Sequence, residues 1–165
     1  MLESNDYSVD SMGMKDGLID VIRKQLSNQL ESLTRAAMES QEAATDPDSK
    51  AESKYDTRNL EASYLAEGQA RRVESLTMAV RIFERLSLPD YSAMSAAGPG
   101  ALVELKIRDG SNWYLLVPAA GGMEVVHGEC HITLLSPESP LYQQLLGCAL
   151  DQVLDGPAGR VRSIL

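Results

Sequence analysis

Two long stretches in the first half of the chain place apolar residues at steps of three and four. The first stripe consists of Leu18, Ile19, Ile22, Leu26, Leu30, Leu33 and Ala37. The second consists of Leu60, Tyr64, Gly68, Val73, Leu76, Val80, Phe83 and Leu86. Such spacing predicts two amphipathic helices. Because a single helix of this length would leave its stripe in water, the pattern predicts an antiparallel coiled-coil hairpin over residues 13–88.

An acidic segment around residues 45–56 separates the two helical patterns. Pro47 lacks a backbone donor and disfavours helical geometry in the residue before it. Ser49 followed by Glu52 fits a capping box for the helix that restarts. Acids outnumber bases here, with Glu39, Glu42, Asp46, Asp48, Glu52 and Asp56 against Lys50 and Lys54. The predicted tip can therefore hold a divalent cation or meet a basic surface.

The second half of the chain changes period from about 3.6 to two. Residues 89–100 are rich in Pro, Gly, Ser and Ala and predict a linker. Alternating residues then predict a hairpin with its turn at Asp109-Gly110, two short strands, a helix near 141–146 and a last strand-like run. The predicted fold class is α+β, with a small, mainly antiparallel sheet and one short helix over 101–165. Residues 1–12 are polar and aperiodic, and we expect a disordered leader.

Charge and composition restrict the partners. A net charge of −9 without a Lys/Arg block argues against independent DNA binding and favours basic partners or metal ions. No apolar run approaches the length of a membrane span, so no membrane partner is expected. Two cysteines without a signal sequence predict reduced thiols and a cytoplasmic location.

Two motifs resemble the bacterial Gre transcript-cleavage factors, over about residues 15–165. In the second half, the run from Ser136 to Leu141, followed by Leu145-Leu146-Gly147 and Val153, resembles the family's S-P-x-S-P-L…L-L-G…V signature. In the tip, Asp48 and Tyr55 align with the first and last residues of the pattern Asp-Leu-x-Glu-Asn-x-Glu-Tyr. The tip departs from that pattern at Ser49, Ala51, Glu52 and Lys54. The resemblance implies an N-terminal coiled coil joined to a C-terminal FKBP-like domain.

The resemblance also implies a function. In the Gre family the coiled coil enters the secondary channel of RNA polymerase, and tip acids help to hold a metal and a water that hydrolyse backtracked RNA. Asp48, with Asp46 or Glu52, is expected to carry that role, and Asp48 is the expected ligand of a Mg ion shared with the polymerase. The chain would then bind no cofactor alone, would touch the nascent RNA end only indirectly, and would stimulate the polymerase rather than act as an enzyme. Residues expected to bind the polymerase are Tyr55, Arg58, Ser136, Pro137, Ser139, Pro140 and Leu141.

Several alternatives remain open at this stage. Ala51 stands where the family has its second acid, so the chain could occupy the channel without cleavage and compete with Gre factors. It could also be a coiled-coil adaptor for another protein, with its tip acids forming only a solvated turn. A metal site at His127, Cys130 and His131 is a further hypothesis. A prolyl isomerase would need an aromatic pocket, for which the second half offers only Trp113, Tyr114 and Tyr142.

Overall fold

A computed structural model of the chain divides it into two compact units. One unit is Arg23–Glu84, and the other combines residues up to Ile22 with Arg85–Leu165. The structure describes residues 15, 17–45, 57–91, 96–108, 110–156 and 158–165, and for 41–45 and 57–63 it describes the backbone only.

The first unit is built from two long helices, α1 (Leu18–Thr45) and α2 (Thr57–Arg85). They run antiparallel, because Arg23 near the start of α1 donates from Nε to the Phe83 carbonyl near the end of α2, at 2.7 Å. The seam between them buries Leu26, Ala79 and Phe83. The predicted helical hairpin is thereby confirmed. Within the described residues, no helix is both long and apolar enough to cross a lipid bilayer.

The predicted apolar stripe of α2 was wrong in its first half. Tyr64 is 65% exposed, and a Cβ added at Gly68 would meet nothing within 4 Å. The inward-facing residues begin instead with Val73 and Leu76, which are half-buried. The reason is geometric: the five-residue step from Gly68 to Val73 turns a helix by about 140° beyond a full turn, so the two positions cannot share a face.

The second unit carries one six-stranded sheet and a short helix, as the α+β prediction required. The strands are β1 (Leu102–Ile107), β2 (Gly110–Leu116), β3 (Glu124–His127), β4 (Cys130–Leu135), β5 (Val153–Asp155) and β6 (Ala158–Ile164). Their order in the sheet is β3-β4-β2-β1-β6-β5. All neighbours pair antiparallel except β2 and β4, which pair parallel. The parallel pair arises because β4 turns back from edge strand β3 and lies between β3 and β2.

Both faces of the sheet are buried near its centre. One face joins Val103 and Leu116 to the helix α3 (Pro140–Leu145) through Tyr142 and Leu145. The other face contains a second set of fully buried side chains, Leu102, Leu115, Ile132 and Leu134. The start of α1 belongs to this unit: Leu18 and Ile22 are fully buried, and a Cβ at Gly17 would lie 3.7 Å from the His127 ring on β3. The described part of the chain has no buried charged or polar residue.

Candidate functional site

The acidic tip lies between the two helix ends. α1 extends to Thr45 and α2 begins at Thr57. The side chains predicted to act there, Asp46, Asp48, Glu52 and Tyr55, lie outside the described residues. Arg58 lies in the first turn of α2, where only the backbone is described.

The alternative metal site at the β3–β4 hairpin does not form. His127 and Cys130 face each other across the strand pair, and His131 faces Val126. Among the described residues, no group of three His, Cys, Asp or Glu side chains is arranged to hold a metal ion. Partial burial, and then the charges of Glu104 and Glu129, raise the pKa of the Cys130 thiol, which favours the neutral form over the metal-binding thiolate.

The segment from Ser136 to Leu141 leaves the sheet at the end of β4 and turns into α3. The Ser139 amide donates to the Ser136 carbonyl at 2.9 Å, which closes the turn. Pro140 is the first helical residue, where its missing N–H needs no partner. The Gln143 side chain donates from Nε2 to the Pro137 carbonyl at 2.8 Å and ties the turn to the helix.

A glycine allows this segment to lie against the preceding loop. A Cβ added at Gly121 would lie 2.2 Å from Ser136 Oγ and 3.0 Å from the Ser136 amide nitrogen. No side chain fits in that space, so Gly121 permits the two backbones to approach closely. The turn is therefore fixed from both sides, by α3 and by the loop at Gly121.

The predicted docking residues divide into surface and support. Pro137 and Pro140 are exposed, and Ser136 and Ser139 are half-buried. Leu141 packs against the core cluster of the sheet. Glu138, which the sequence reading did not assign to the docking surface, is fully exposed between the prolines, and a hydrogen bond with the Ser136 hydroxyl lowers its pKa. The segment thus presents two proline rings and an ionised carboxylate on a rigid turn.

A groove of about 450 Å³ runs between the two helices of the hairpin. Leu33, Ala36 and Leu76 supply its apolar part, and Arg72 supplies its cationic group. No carboxylate lines the groove. Its remaining lining residues are Gln25, Asn28, Gln29 and Ser32. The neighbouring Arg71 is engaged elsewhere, in an exposed ion pair with Glu67 at 2.5 Å.

Sequence reasoning missed a lysine that organises the start of the second unit. The Lys15 ammonium donates to the carbonyls of Pro89 at 2.6 Å and Gly100 at 3.1 Å, and it lies 5.2 Å from the centre of the Tyr91 ring. Partial burial lowers its pKa to about 8, against a smaller opposing effect of Asp90. Lysine at the start of a helical pattern reads as a solvated cation, so nothing in the sequence marks these contacts.

The described ends of segment 89–100 are packed by the same cluster. Tyr91 is buried and donates its hydroxyl to the Pro99 carbonyl at 3.0 Å. Ala97 is buried, donates its amide to the Cys148 carbonyl and accepts from the Gly147 amide. These contacts make both ends of the segment part of the second unit.

No protein-family profile and no curated protein match this sequence. Two solved structures resemble it. The crystal structure of GreA factor homolog 1 (Gfh1) of Thermus thermophilus is 24% identical, over 87% of this chain and 94% of that one, with a TM-score of 0.34. The crystal structure of Thermus aquaticus Gfh1 is 21% identical, over 86% of this chain and 92% of that one, with a TM-score of 0.35. Similarity of this degree does not indicate a function.

Proposed function

We propose that this chain is a Gre-like transcription elongation factor that binds RNA polymerase at its secondary channel. The observation that carries the proposal is the turn from Ser136 to Leu141. Its residues match the S-P-x-S-P-L signature, and its prolines and Glu138 form an exposed, rigid surface. The hairpin of α1 and α2 in the same chain supports the proposal, since insertion into a channel needs an elongated element.

The hairpin has the length that such a role requires. α1 contains 28 residues and α2 contains 29. At about 1.5 Å per residue, each helix is roughly 42 Å long. A helical pair of this kind carries its tip several nanometres from the helix ends that connect to the sheet.

The tip acids are proposed to act with the polymerase and not alone. Asp48, together with Asp46 or Glu52, would contribute carboxylate oxygens toward Mg at the polymerase active site. Mg binds few protein carboxylates and keeps most of its waters, so one or two acids suffice to complete a site whose other ligands belong to the polymerase. The metal would supply a polarised water and charge stabilisation for phosphodiester hydrolysis.

The docking part of the proposal is tested by binding to the cognate core RNA polymerase. We expect the full chain to bind and Glu138→Lys to weaken binding by roughly 5–20-fold, the range in which an interfacial charge acts. Glu129→Lys is the matched control, because Glu129 is exposed on the β3–β4 turn away from this segment. Equal binding by both variants would remove Ser136–Leu141 from the interface, and no binding by the wild-type chain would overturn the proposed function.

The tip is tested separately, by transcript cleavage in backtracked elongation complexes at a Mg concentration where intrinsic cleavage is slow. Faster cleavage that Asp48→Ala abolishes, with binding retained, supports the cleavage mechanism. Binding without acceleration, together with competition against a Gre factor, supports the non-cleaving regulator that Ala51 favours. A chain that binds no polymerase and alters no cleavage would instead be a coiled-coil adaptor for another protein.

A further inference from the structure

The solvent side of α2 carries a second stripe with coiled-coil spacing. We call it the outer stripe, and its members follow one another at alternating steps of four and three. They are Tyr64, Gly68, Arg71, Ser75, Met78 and Ile82. Positions spaced in this way lie along one line of a helix and form the contact seam of coiled coils. The seam between α1 and α2 uses the other face of the same helix, where Ala79 and Phe83 are buried.

The outer stripe is more apolar than a solvated helix face requires. Tyr64 is 65%, Met78 is 58% and Ile82 is 36% exposed. Solvent faces of surface helices normally carry polar and charged residues. Gly68 adds a second anomaly, because glycine weakens a helix interior and a Cβ here would meet nothing within 4 Å. Nothing in the described chain therefore explains these residues.

The outer stripe is complementary to itself when reversed. In an antiparallel pair of α2 helices centred near residue 73, Tyr64 faces Ile82 of the second copy, and Gly68 faces Met78. Arg71 then faces Ser75. Each of the last two layers sets a small residue against a long one, which lets the two helices approach closely. Gly68 thus gains a reason, since the space in front of it receives the Met78 side chain of the second copy.

The charges beside the outer stripe agree with the same register. Glu67, Glu74 and Arg81 flank it at seven-residue spacing, all on one side. In the antiparallel pair Glu67 lies beside Arg81 of the second copy. Arg71, which already pairs with its own Glu67, lies beside Glu74 of the second copy and shields it from the first copy's Glu74. Opposite charges therefore meet on both sides of the two-fold axis.

We propose that the outer stripe is a self-association surface, through which two copies of this chain pair their α2 helices antiparallel. The contact is isologous, with the same residues on both copies. It spans about 27 Å, from Tyr64 to Ile82. With three apolar side chains from each copy, it is a weak interface, with a dissociation constant of roughly 10 µM to 1 mM. The inference stands on α2 alone and does not depend on the proposed function.

Sedimentation equilibrium of the full chain tests the proposal, at protein concentrations on either side of this range. We expect a monomer–dimer equilibrium that Gly68→Leu weakens at least about tenfold, because the leucine fills the space meant for Met78. Ala70→Leu is the matched control, since Ala70 is exposed on α2 away from the outer stripe. Leucine is a better helix former than glycine, so the unfolding midpoint of Gly68→Leu should not fall.

A charge exchange tests the register. Arg81→Glu alone should weaken the dimer, and combining it with Glu67→Arg should restore much of the loss, because each new arginine faces a new glutamate. A chain that stays monomeric throughout overturns the proposal, as does a dimer that is equally affected by Ala70→Leu and Gly68→Leu. A dimer that Gly68→Leu weakens but that the double exchange does not restore overturns the antiparallel register.

Discussion

Single residues decide how closely the docking segment lies against the rest of the second unit. Gly121 contacts Ser136 through its bare backbone, and its position in the sequence Ala120-Gly121-Gly122 reads only as a loop. The sequence could mark a turn there, since glycine pairs favour one. It could not identify which glycine is required for packing, because that depends on a neighbour fifteen residues away.

We predict that Gly121→Ala destabilises the second unit by about 1–3 kcal/mol, the usual effect of forcing atoms into filled space. The added Cβ would overlap Ser136 Oγ, and also the Ser136 Cβ at 2.8 Å, so rotating the hydroxyl cannot relieve it. Urea unfolding followed by the fluorescence of Trp113, the chain's single tryptophan, measures the change. Gly156→Ala is the control, since a Cβ there meets nothing within 4 Å. Equal midpoints for the two variants would contradict the prediction.

Lys15 gives the molecule a predictable dependence on pH. Its folded-state pKa of about 8 lies below the ordinary lysine value of 10.5. Between these values the unfolded chain binds more protons than the folded one, so this group's contribution to stability rises as the pH rises. The neutral amine still has N–H donors for the carbonyls of Pro89 and Gly100. Because the side chain is only half-buried, solvent screening limits the effect to about 1 kcal/mol.

The measurement compares wild type with Lys15→Met between pH 8 and 9, again through Trp113. We expect the unfolding free energy of wild type to rise relative to the variant over this interval. The comparison removes the opposite contributions of Cys148 and Tyr91, whose pKa values burial raises and which both proteins share. Parallel pH profiles for the two proteins would show that Lys15 does not titrate in this window.

At the scale of elements, alternation and helical spacing identified most of the fold. β1 and β4 begin and end where the pattern placed them, and α3 begins one residue earlier. β5 was missed, because Val153–Asp155 is too short to show a period. The parallel pairing of β2 with β4 was also missed, since alternation along a strand does not identify its neighbour. The tip acids follow from a family resemblance, and the structure does not describe them.

The helical hairpin is held at its base by an arginine that caps the opposite helix. Arg23 of α1 donates to the carbonyls of Phe83 at 2.7 Å and Glu84 at 3.2 Å. These belong to the last turn of α2, where carbonyls have no partner within the helix and the helix dipole favours a cation. Arg23 thus satisfies two acceptors and places a positive charge at the negative end of α2.

We predict that Arg23→Met destabilises the hairpin by about 1–2 kcal/mol, since two charge-assisted hydrogen bonds are lost while the aliphatic stem is kept. Lys24→Met removes a charge from the next, exposed position of the same helix and should have an effect near zero. Thermal unfolding followed by helical circular dichroism measures both. A loss of the same size in the two variants would mean that the effect comes from net charge and not from the cap.

At the scale of the whole molecule, the sequence and the structure divide the chain differently. Composition suggested a linker at 89–100, because Pro, Gly, Ser and Ala are typical of flexible connections. In the structure, Tyr91 and Ala97 belong to the buried cluster of the sheet, and Lys15 binds the carbonyls on both sides of this segment. Small residues here serve close packing: a Cβ at Gly98 would lie 2.4 Å from the Tyr91 hydroxyl. Composition alone cannot distinguish these two uses of glycine.

This difference predicts where the chain can be cut. A fragment of residues 101–165 keeps all six strands but loses Tyr91, Ala97 and the start of α1. A chain that joins residues 1–22 to 85–165 through a short Gly–Ser loop keeps these groups. The joined chain should unfold in one cooperative transition, reported by Trp113, whereas fragment 101–165 should unfold at a lower urea concentration and with a shallower slope. If the short fragment were as stable as the joined chain, the packing of Lys15, Leu18, Ile22 and Tyr91 would contribute nothing to the second unit, and the boundary suggested by composition would be the thermodynamic one.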